Sequence, residues 1–138
     1  GPMSESIEYQ RGEPFRLIRV FRESSDGGTT WTRLPLTGRH YARDIRSRNS
    51  ETATLLLSIR DDDGNAYATL EGESVQLDDE DTASAVGVVV VEVPADIATA
   101  ALTVGSLPTD EAIVEANGDP VYMVKGAVAV RSRITVLT

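Results

Sequence analysis

Three oxygen-bearing side chains stand at alternate positions in one short segment of the chain. Asp61, Asp63 and Asn65 have the one-three-five spacing with which a calcium-binding loop begins. The rest of that pattern is missing, because Ala66 stands where the loop needs glycine and Gly72 where it needs glutamate. The sequence favours a solvated hairpin turn here and leaves cation binding open.

Among the other titratable groups, no pair of carboxylates is marked out by its sequence surroundings as an acid–base pair, although 22 acidic residues offer many pairs. The run Asp78, Asp79, Glu80 and Asp81 has to lie in solvent, and carboxylates without a convergent scaffold bind cations weakly. His40 is the only histidine and there is no cysteine, which excludes cysteine nucleophiles, thiolate metal sites and disulfides. Nucleophile-elbow, phosphate-loop and dinucleotide motifs are also missing. We therefore predict no enzymatic activity, and we assign no catalytic residue, metal ligand or cofactor.

Trp31 is the aromatic residue that we single out as a possible surface anchor. It follows the turn at Gly27 and Gly28, whereas Phe15, Phe21 and Tyr41 are at least as well placed to fill a core. An exposed ring would suit a sugar-binding module, although one Trp, four Tyr and two Phe are few for an aromatic platform. The alternative is that Trp31 is a core or edge-strand ring.

The charge of the chain is acidic and unevenly distributed. The formal net charge of −9 disfavours nucleic acid or an anionic membrane as partner. Residues 1–60 hold 10 basic and 7 acidic side chains, whereas residues 61–138 hold 3 and 15. The two halves could meet between copies of the chain, but pairing within one chain is the interpretation that we favour, since surface ion pairs contribute little.

Short apolar segments broken by turn residues are typical of an all-β sandwich or barrel. In the strand 40–46, Tyr41, Arg43 and Ile45 share one face. The apolar run 86–91 is far below the roughly 20 residues of a membrane-spanning helix. One short helix is predicted at about residues 94–102, because Pro94 suits a first helical position. The predicted strands are 15–22, 31–36, 40–46, 55–59, 66–70, 87–93, 112–116, 121–124 and 126–130.

Turn chemistry predicts two hairpins. The first joins 55–59 to 66–70 through the Asp63-Gly64 turn, and the second joins 112–116 to 121–124 through Asn117-Gly118. A helix over residues 109–116 is the competing interpretation of the second segment. Residues 134–137 are either a last strand or a tail that pairs with another chain.

A single domain is expected over residues 3–138, since this length suits one core. Gly1 and Pro2 ahead of Met3 are typical of the remnant left when a purification tag is removed, so the natural chain is expected to begin at Met3.

Four segments of the chain carry short motifs that follow one another in a definite order. The opening segment reads Arg-Gly-Glu-Pro-Phe-Arg-Leu, and a Leu-Thr-Gly turn leads to a strand that ends in Ile-Arg. A strand and short helix ending in Thr-Ala-Ala-Leu follow, and a closing hairpin ends in Gly-x-Val-x-Val. In this order the four segments resemble the N-terminal domain of baseplate upper proteins and related small tail proteins of tailed bacteriophages. The chain departs from the family at Arg39, where an aromatic residue is common, and at Arg43, where a small residue is usual. The segments are 11–17, 36–46, 91–102 and 117–130.

The resemblance implies a structural protein of the phage virion, made in the host cytoplasm, with an Ig-like β-sandwich fold. Such a protein docks to other tail or baseplate proteins, and copies of it would form a trimer or hexamer ring. The alternative function is a carbohydrate- or host-surface-binding β-sandwich. On the phage hypothesis the expected interface residues are Arg43, Arg46, Arg48, Asp78, Asp79, Glu80 and Asp81.

Overall fold

Strands dominate the computed structural model, which describes residues 4–72 and 84–132. They form 51% of the structure against 6% for one helix, so the all-β prediction is confirmed. No helix in these two ranges is long and apolar enough to cross a membrane. The elements are β1 Ser4–Gln10, β2 Phe15–Val20, β3 Arg22–Glu23, β4 Thr32–Arg33, β5 His40–Arg46, β6 Leu55–Arg60, β7 Ala68–Leu70, β8 Val88–Val93, α1 Ala95–Ala101, β9 Gly105–Val114 and β10 Pro120–Arg131.

The described strands form a large sheet, a small sheet and a two-stranded ribbon. The large sheet has the order β1-β10-β9-β5-β6, the small sheet β2-β8-β7, and the ribbon pairs β3 with β4. All described neighbours are antiparallel except β1 and β10, which run parallel. The first and last described strands are therefore adjacent in the large sheet.

The inner faces of the large and small sheets share one core. Phe15, Phe21 and Tyr41 are buried in it, as the sequence predicts. The Phe21 ring contacts Tyr41 and Tyr122 of the large sheet, with centroids 6.2 and 5.0 Å apart. In β8, Val88, Val89, Val91 and Val93 are buried, as expected of a strand at the centre of a sheet.

The predicted hairpin joining 55–59 to 66–70 is wrong, although both segments are strands. β6 pairs with β5 in the large sheet, whereas β7 pairs with β8 in the small sheet. The connection still turns sharply, since Asp63 accepts backbone N–H bonds from Asn65 and Ala66, and Ala66 has a φ of 53°. Turn residues mark a change of direction and do not specify which strand the chain then pairs with.

The second hairpin is confirmed, and the competing helix over 109–116 is wrong. β9 and β10 are antiparallel, with a bulge between Pro120 and Tyr122. The short helix is also confirmed: α1 spans Ala95–Ala101 and begins after Pro94.

One predicted strand is shorter than expected, one segment lies outside the described residues, and one strand was missed. The segment 31–36 reduces to Thr32–Arg33, and residues 134–137 lie outside the described ranges. β1 was not predicted, because Ile7 and Tyr9 are its only apolar residues.

Candidate functional site

A charged network lies buried between the two sheets. Arg43 and Glu111 are 0% and 1% exposed, and Arg43 Nη2 donates to Glu111 Oε1 at 2.7 Å. The Arg43 guanidinium also donates from Nε to the Tyr41 hydroxyl and from Nη1 to Thr109 Oγ1, each at 2.9 Å. The Tyr41 hydroxyl donates in turn to Glu111 Oε1 at 2.8 Å. All three Arg43 nitrogens thus have a partner, which a buried guanidinium requires.

Two further charged residues join this network to the small sheet and to the first strand. Arg19 of β2 donates from Nε to Glu111 Oε2 at 3.0 Å. Glu5 of β1 pairs with Arg43 Nη2 at 2.6 Å and with Arg19 Nη2 at 3.0 Å. The two arginines and two glutamates balance in charge, so the buried network, defined as Glu5, Arg19, Tyr41, Arg43, Thr109 and Glu111, is neutral.

The sheet register brings these side chains together. Arg43 of β5 lies opposite Glu111 of β9. Gly126 of β10 lies between Thr109 of β9 and Glu5 of β1. A Cβ at Gly126 would meet the Glu5 carbonyl oxygen at 2.2 Å and its Cγ at 2.6 Å. Glycine at this position therefore lets β1 approach closely enough to place Glu5 in the network.

The network raises the pKa of Tyr41 and of Arg43. Burial raises the pKa of the Tyr41 hydroxyl well above its ordinary value, so this hydroxyl stays a neutral donor. Burial disfavours the charged Arg43 guanidinium, but Tyr41, Glu111 and Glu5 outweigh that effect and raise the Arg43 pKa. Tyr41 stays a neutral hydrogen-bond donor and Arg43 stays a cation, which suits structural support of the core.

The sequence-based choice of Arg43 as an interface residue is wrong. Its side chain is fully buried and bound within its own chain, so no second protein can contact it without opening the core. The alternating pattern had placed Arg43 on the same face as Tyr41 and Ile45, and that face points inward.

Several charges of the basic N-terminal half pair with the acidic C-terminal half inside one chain. Besides the pairs of Glu111, Arg39 lies 3.1 Å from Glu115, and Arg16 lies 3.6 Å from Glu92. These contacts follow the interpretation of intramolecular pairing that the sequence favoured. Self-association would have to use other charges.

Arg46 and Arg48, by contrast, line a surface groove of about 580 Å³ on the large sheet. Arg46 is held in place, because its Nη1 donates to the Ala53 carbonyl at 2.9 Å and its Nη2 lies 3.5 Å from Asp44 Oδ2. The groove is lined by Asp44, Arg46, Arg48, Asn49, Ser50, Glu51, Pro108, Thr109, Asp110, Met123 and Lys125.

One wall of the groove is the loop between β5 and β6, which is ordered by its own hydrogen bonds. Ser47 N–H donates to the Thr54 carbonyl at 3.0 Å, and Ala53 N–H donates to the Ser50 carbonyl at 3.1 Å. The groove therefore has a formed wall and a strand floor.

Four exposed charges of the groove have no ion-pair or hydrogen-bond partner for their side chains among the described residues. They are Arg48, Glu51, Asp110 and Lys125. Met123 lies beside them with 61% of its surface exposed. Unpaired charges of both signs next to an exposed apolar side chain are what an interaction surface offers.

Sequence reasoning missed Asp110, Met123 and Lys125 as groove residues. The signal was present in β10, where Met123 and Lys125 alternate with Val124, which is buried. Asp78, Asp79, Glu80 and Asp81, the acidic half of the predicted interface, lie outside the described residues.

Trp31 is on the surface, with 59% of its area exposed. Its Nε1 donates to the Gly28 carbonyl at 3.1 Å, so the ring offers its face and not its hydrogen-bond donor. Asp26 braces the same loop, accepting N–H bonds from Thr29 at 3.1 Å and Thr30 at 2.9 Å. Hydrogen bonds from Thr30 and Ser24 lower the pKa of Asp26 well below its ordinary value.

Asp61 and Asp63, two of the three candidate calcium residues, have separate hydrogen-bond partners. Asp63 accepts bonds inside its own turn, whereas Asp61 accepts the Tyr41 N–H at 2.8 Å and lies 3.1 Å from His40 Nδ1. The Asp61 contact raises the pKa of His40, and the charge of Asp62 adds to it. Asp63 thus stabilises the turn, whereas Asp61 is the hydrogen-bond partner of His40.

No protein-family model matches the chain, and no curated protein matches its sequence.

Proposed function

We propose that the chain is a structural virion protein of a tailed bacteriophage, a tail, baseplate or fibre-connector module that acts by docking to other proteins and not by catalysis. The order of the four family-like segments supports this proposal. The groove supports the docking part of the proposal, because four of its exposed charges have no partner among the chain's own described side chains and are available to a second protein.

The proposed fold and location follow from the same hypothesis. Two mainly antiparallel sheets with a shared core support an Ig-like β-sandwich. The proposed place of the protein is the phage tail, assembled from chains made in the host cytoplasm. Its proposed partners are other tail or baseplate proteins and further copies of itself in a trimer or hexamer ring.

The proposed docking surface is tested by charge reversal in the groove. The solution mass is measured by light scattering at low and high salt for the wild type, Arg48→Glu, Asp110→Arg and the double variant. We expect a trimer or hexamer that dissociates in high salt, loss of association in each single variant, and recovery in the double variant.

Arg16→Glu is the matched control, because Arg16 is an exposed arginine on the small sheet and does not line the groove. A wild type that stays monomeric at every protein and salt concentration would overturn the ring. Virion location is tested separately, since an antibody against the chain should label the tails of purified phage particles from the source culture. Particles without label would contradict the phage assignment.

Exposure of Trp31 favours the alternative, a carbohydrate- or host-surface-binding module. A fixed indole face is suited to stacking on a sugar ring. On a glycan array the wild type would then bind and Trp31→Ala would not. Equal signals from both proteins would remove this alternative.

A further inference from the structure

The end of the large sheet brings three metal-ligating side chains together from two separate parts of the chain. His40 begins β5, and Asp61 and Asp62 follow the last residue of β6. The two strands are antiparallel with Ala42 opposite Arg60, so the start of β5 lies beside the end of β6.

The ligand atoms have the spacing of a metal coordination sphere. His40 Nδ1 lies 3.1 Å from Asp61 Oδ2 and 3.6 Å from Asp62 Oδ2, and all three atoms lie within 4.8 Å of one another. In a tetrahedral zinc site with bonds of about 2.0–2.2 Å, neighbouring ligand atoms are about 3.3–3.6 Å apart. A metal ion bound here would take the place of the hydrogen bond between His40 and Asp61.

We propose that His40, Asp61 and Asp62 form a binding site for a divalent transition-metal ion of the zinc class, with water completing the coordination. One imidazole nitrogen and two carboxylate oxygens form the mixed donor set that zinc accepts. Calcium instead requires six to eight oxygen ligands, as a rule. The two carboxylates balance the charge of the ion while the imidazole is neutral.

The surroundings of the site suit this role. The second oxygen of Asp61 accepts the Tyr41 N–H at 2.8 Å, a bond from outside the cluster that orients this carboxylate as outer-shell contacts orient metal ligands. Asp61 is largely buried, whereas His40 is half-buried and Asp62 exposed. An ion could therefore reach the site from solvent, where Asp61 is a fixed ligand and His40 and Asp62 are accessible ligands.

The neighbouring Asp63 provides a matched control. It belongs to the same acidic turn, but its Oδ1 accepts the N–H groups of Asn65 and Ala66, and it is not a member of the cluster. A non-specific attraction of the acidic turn for cations would depend on Asp63 as much as on Asp62. A coordination site would depend on Asp62 and His40.

The experiment is a zinc titration of the chelator-treated chain by calorimetry, with the His40 ring followed by NMR. We expect one ion per chain and a shift of the ring resonances that saturates. His40→Ala and Asp62→Asn should weaken zinc binding by about tenfold or more, while Asp63→Asn should stay within about twofold of the wild type. Calcium in excess should not displace zinc.

Three results would overturn the proposal. They are an unmoved His40 resonance in excess zinc, equal binding by His40→Ala and the wild type, and equal losses in Asp62→Asn and Asp63→Asn. Thermal unfolding of each variant without metal establishes that it is folded. This proposal is independent of the phage assignment, because it concerns only the chain and the ion.

Discussion

Arginines only a few residues apart have opposite roles in the buried network and in the groove. Arg43 is enclosed by partners from its own chain, whereas Arg48 is exposed and has no side-chain partner among the described residues. The difference shows that an arginine is available for docking only where the fold has not already neutralised it. Loss of a charge should therefore lower the stability of the fold when the charge is in the buried network, and weaken association when the charge is in the groove.

The largest expected effect is the loss of one charge from the buried network. Glu111→Gln leaves Arg43 and Arg19 facing one carboxylate, Glu5, and should lower the free energy of unfolding by about 3–5 kcal/mol. Urea unfolding measures this value. The double variant Arg43→Met, Glu111→Leu should lose less than the sum of the single losses, because Arg19 and Glu5 remain paired. Additive losses would show that the network is not coupled.

The second effect tests the close approach of β1. Gly126→Ala places a methyl group against the Glu5 backbone, and we expect a loss of about 1–3 kcal/mol in unfolding free energy. Hydrogen exchange should accelerate in β1 before the rest of the sheet. Gly64→Ala is the control, because nothing lies within 4 Å of its added Cβ. If the two alanine variants were equally stable, the tight packing at Gly126 would be refuted.

The third effect is a dependence of stability on alkaline pH. The pKa of Tyr41 is raised in the folded state, so above pH 10 the unfolded chain releases a proton that the folded chain keeps. Stability from this group is present below pH 10 and falls by about 1.4 kcal/mol per pH unit above it. Urea unfolding at a series of alkaline pH values measures the slope, which should be shallower in Tyr41→Phe. An unchanged slope would assign the alkaline loss to other groups.

The smallest effect on stability is expected in the groove. Arg48→Ala and Lys125→Ala should each change the free energy of unfolding by no more than about 0.5 kcal/mol, because both side chains are exposed and have no ion pair or hydrogen bond among the described residues. Thermal unfolding checks this prediction. A loss as large as that of Glu111→Gln would mean that the groove charges also support the fold.

The class of the fold could be predicted from local patterns, but the partners of its strands could not. Period-two alternation placed Tyr41, Arg43 and Ile45 on one face, and Asn117-Gly118 marked a true hairpin. The pairing of β6 and β7 with distant strands depends on contacts that no local pattern encodes.

The charged sites show the same limit. Arg43 was predicted as an interface residue on the phage hypothesis, and its burial beside Glu111, which lies far along the chain, shows otherwise. The cluster of His40 with Asp61 and Asp62 depends on the register of β5 and β6. Nothing in the spacing of these residues along the chain predicts it.

The parallel pairing of β1 with β10 has a consequence for synthesis on the ribosome. Ser4 lies opposite Lys125, so β1 pairs with a strand that the ribosome makes only after β2 to β9. Glu5 therefore reaches Arg43 only after β10 has been made and has paired with β1. A nascent chain stopped short of β10 would leave β1 without its partner strand and would leave Arg19 and Arg43 without the Glu5 carboxylate.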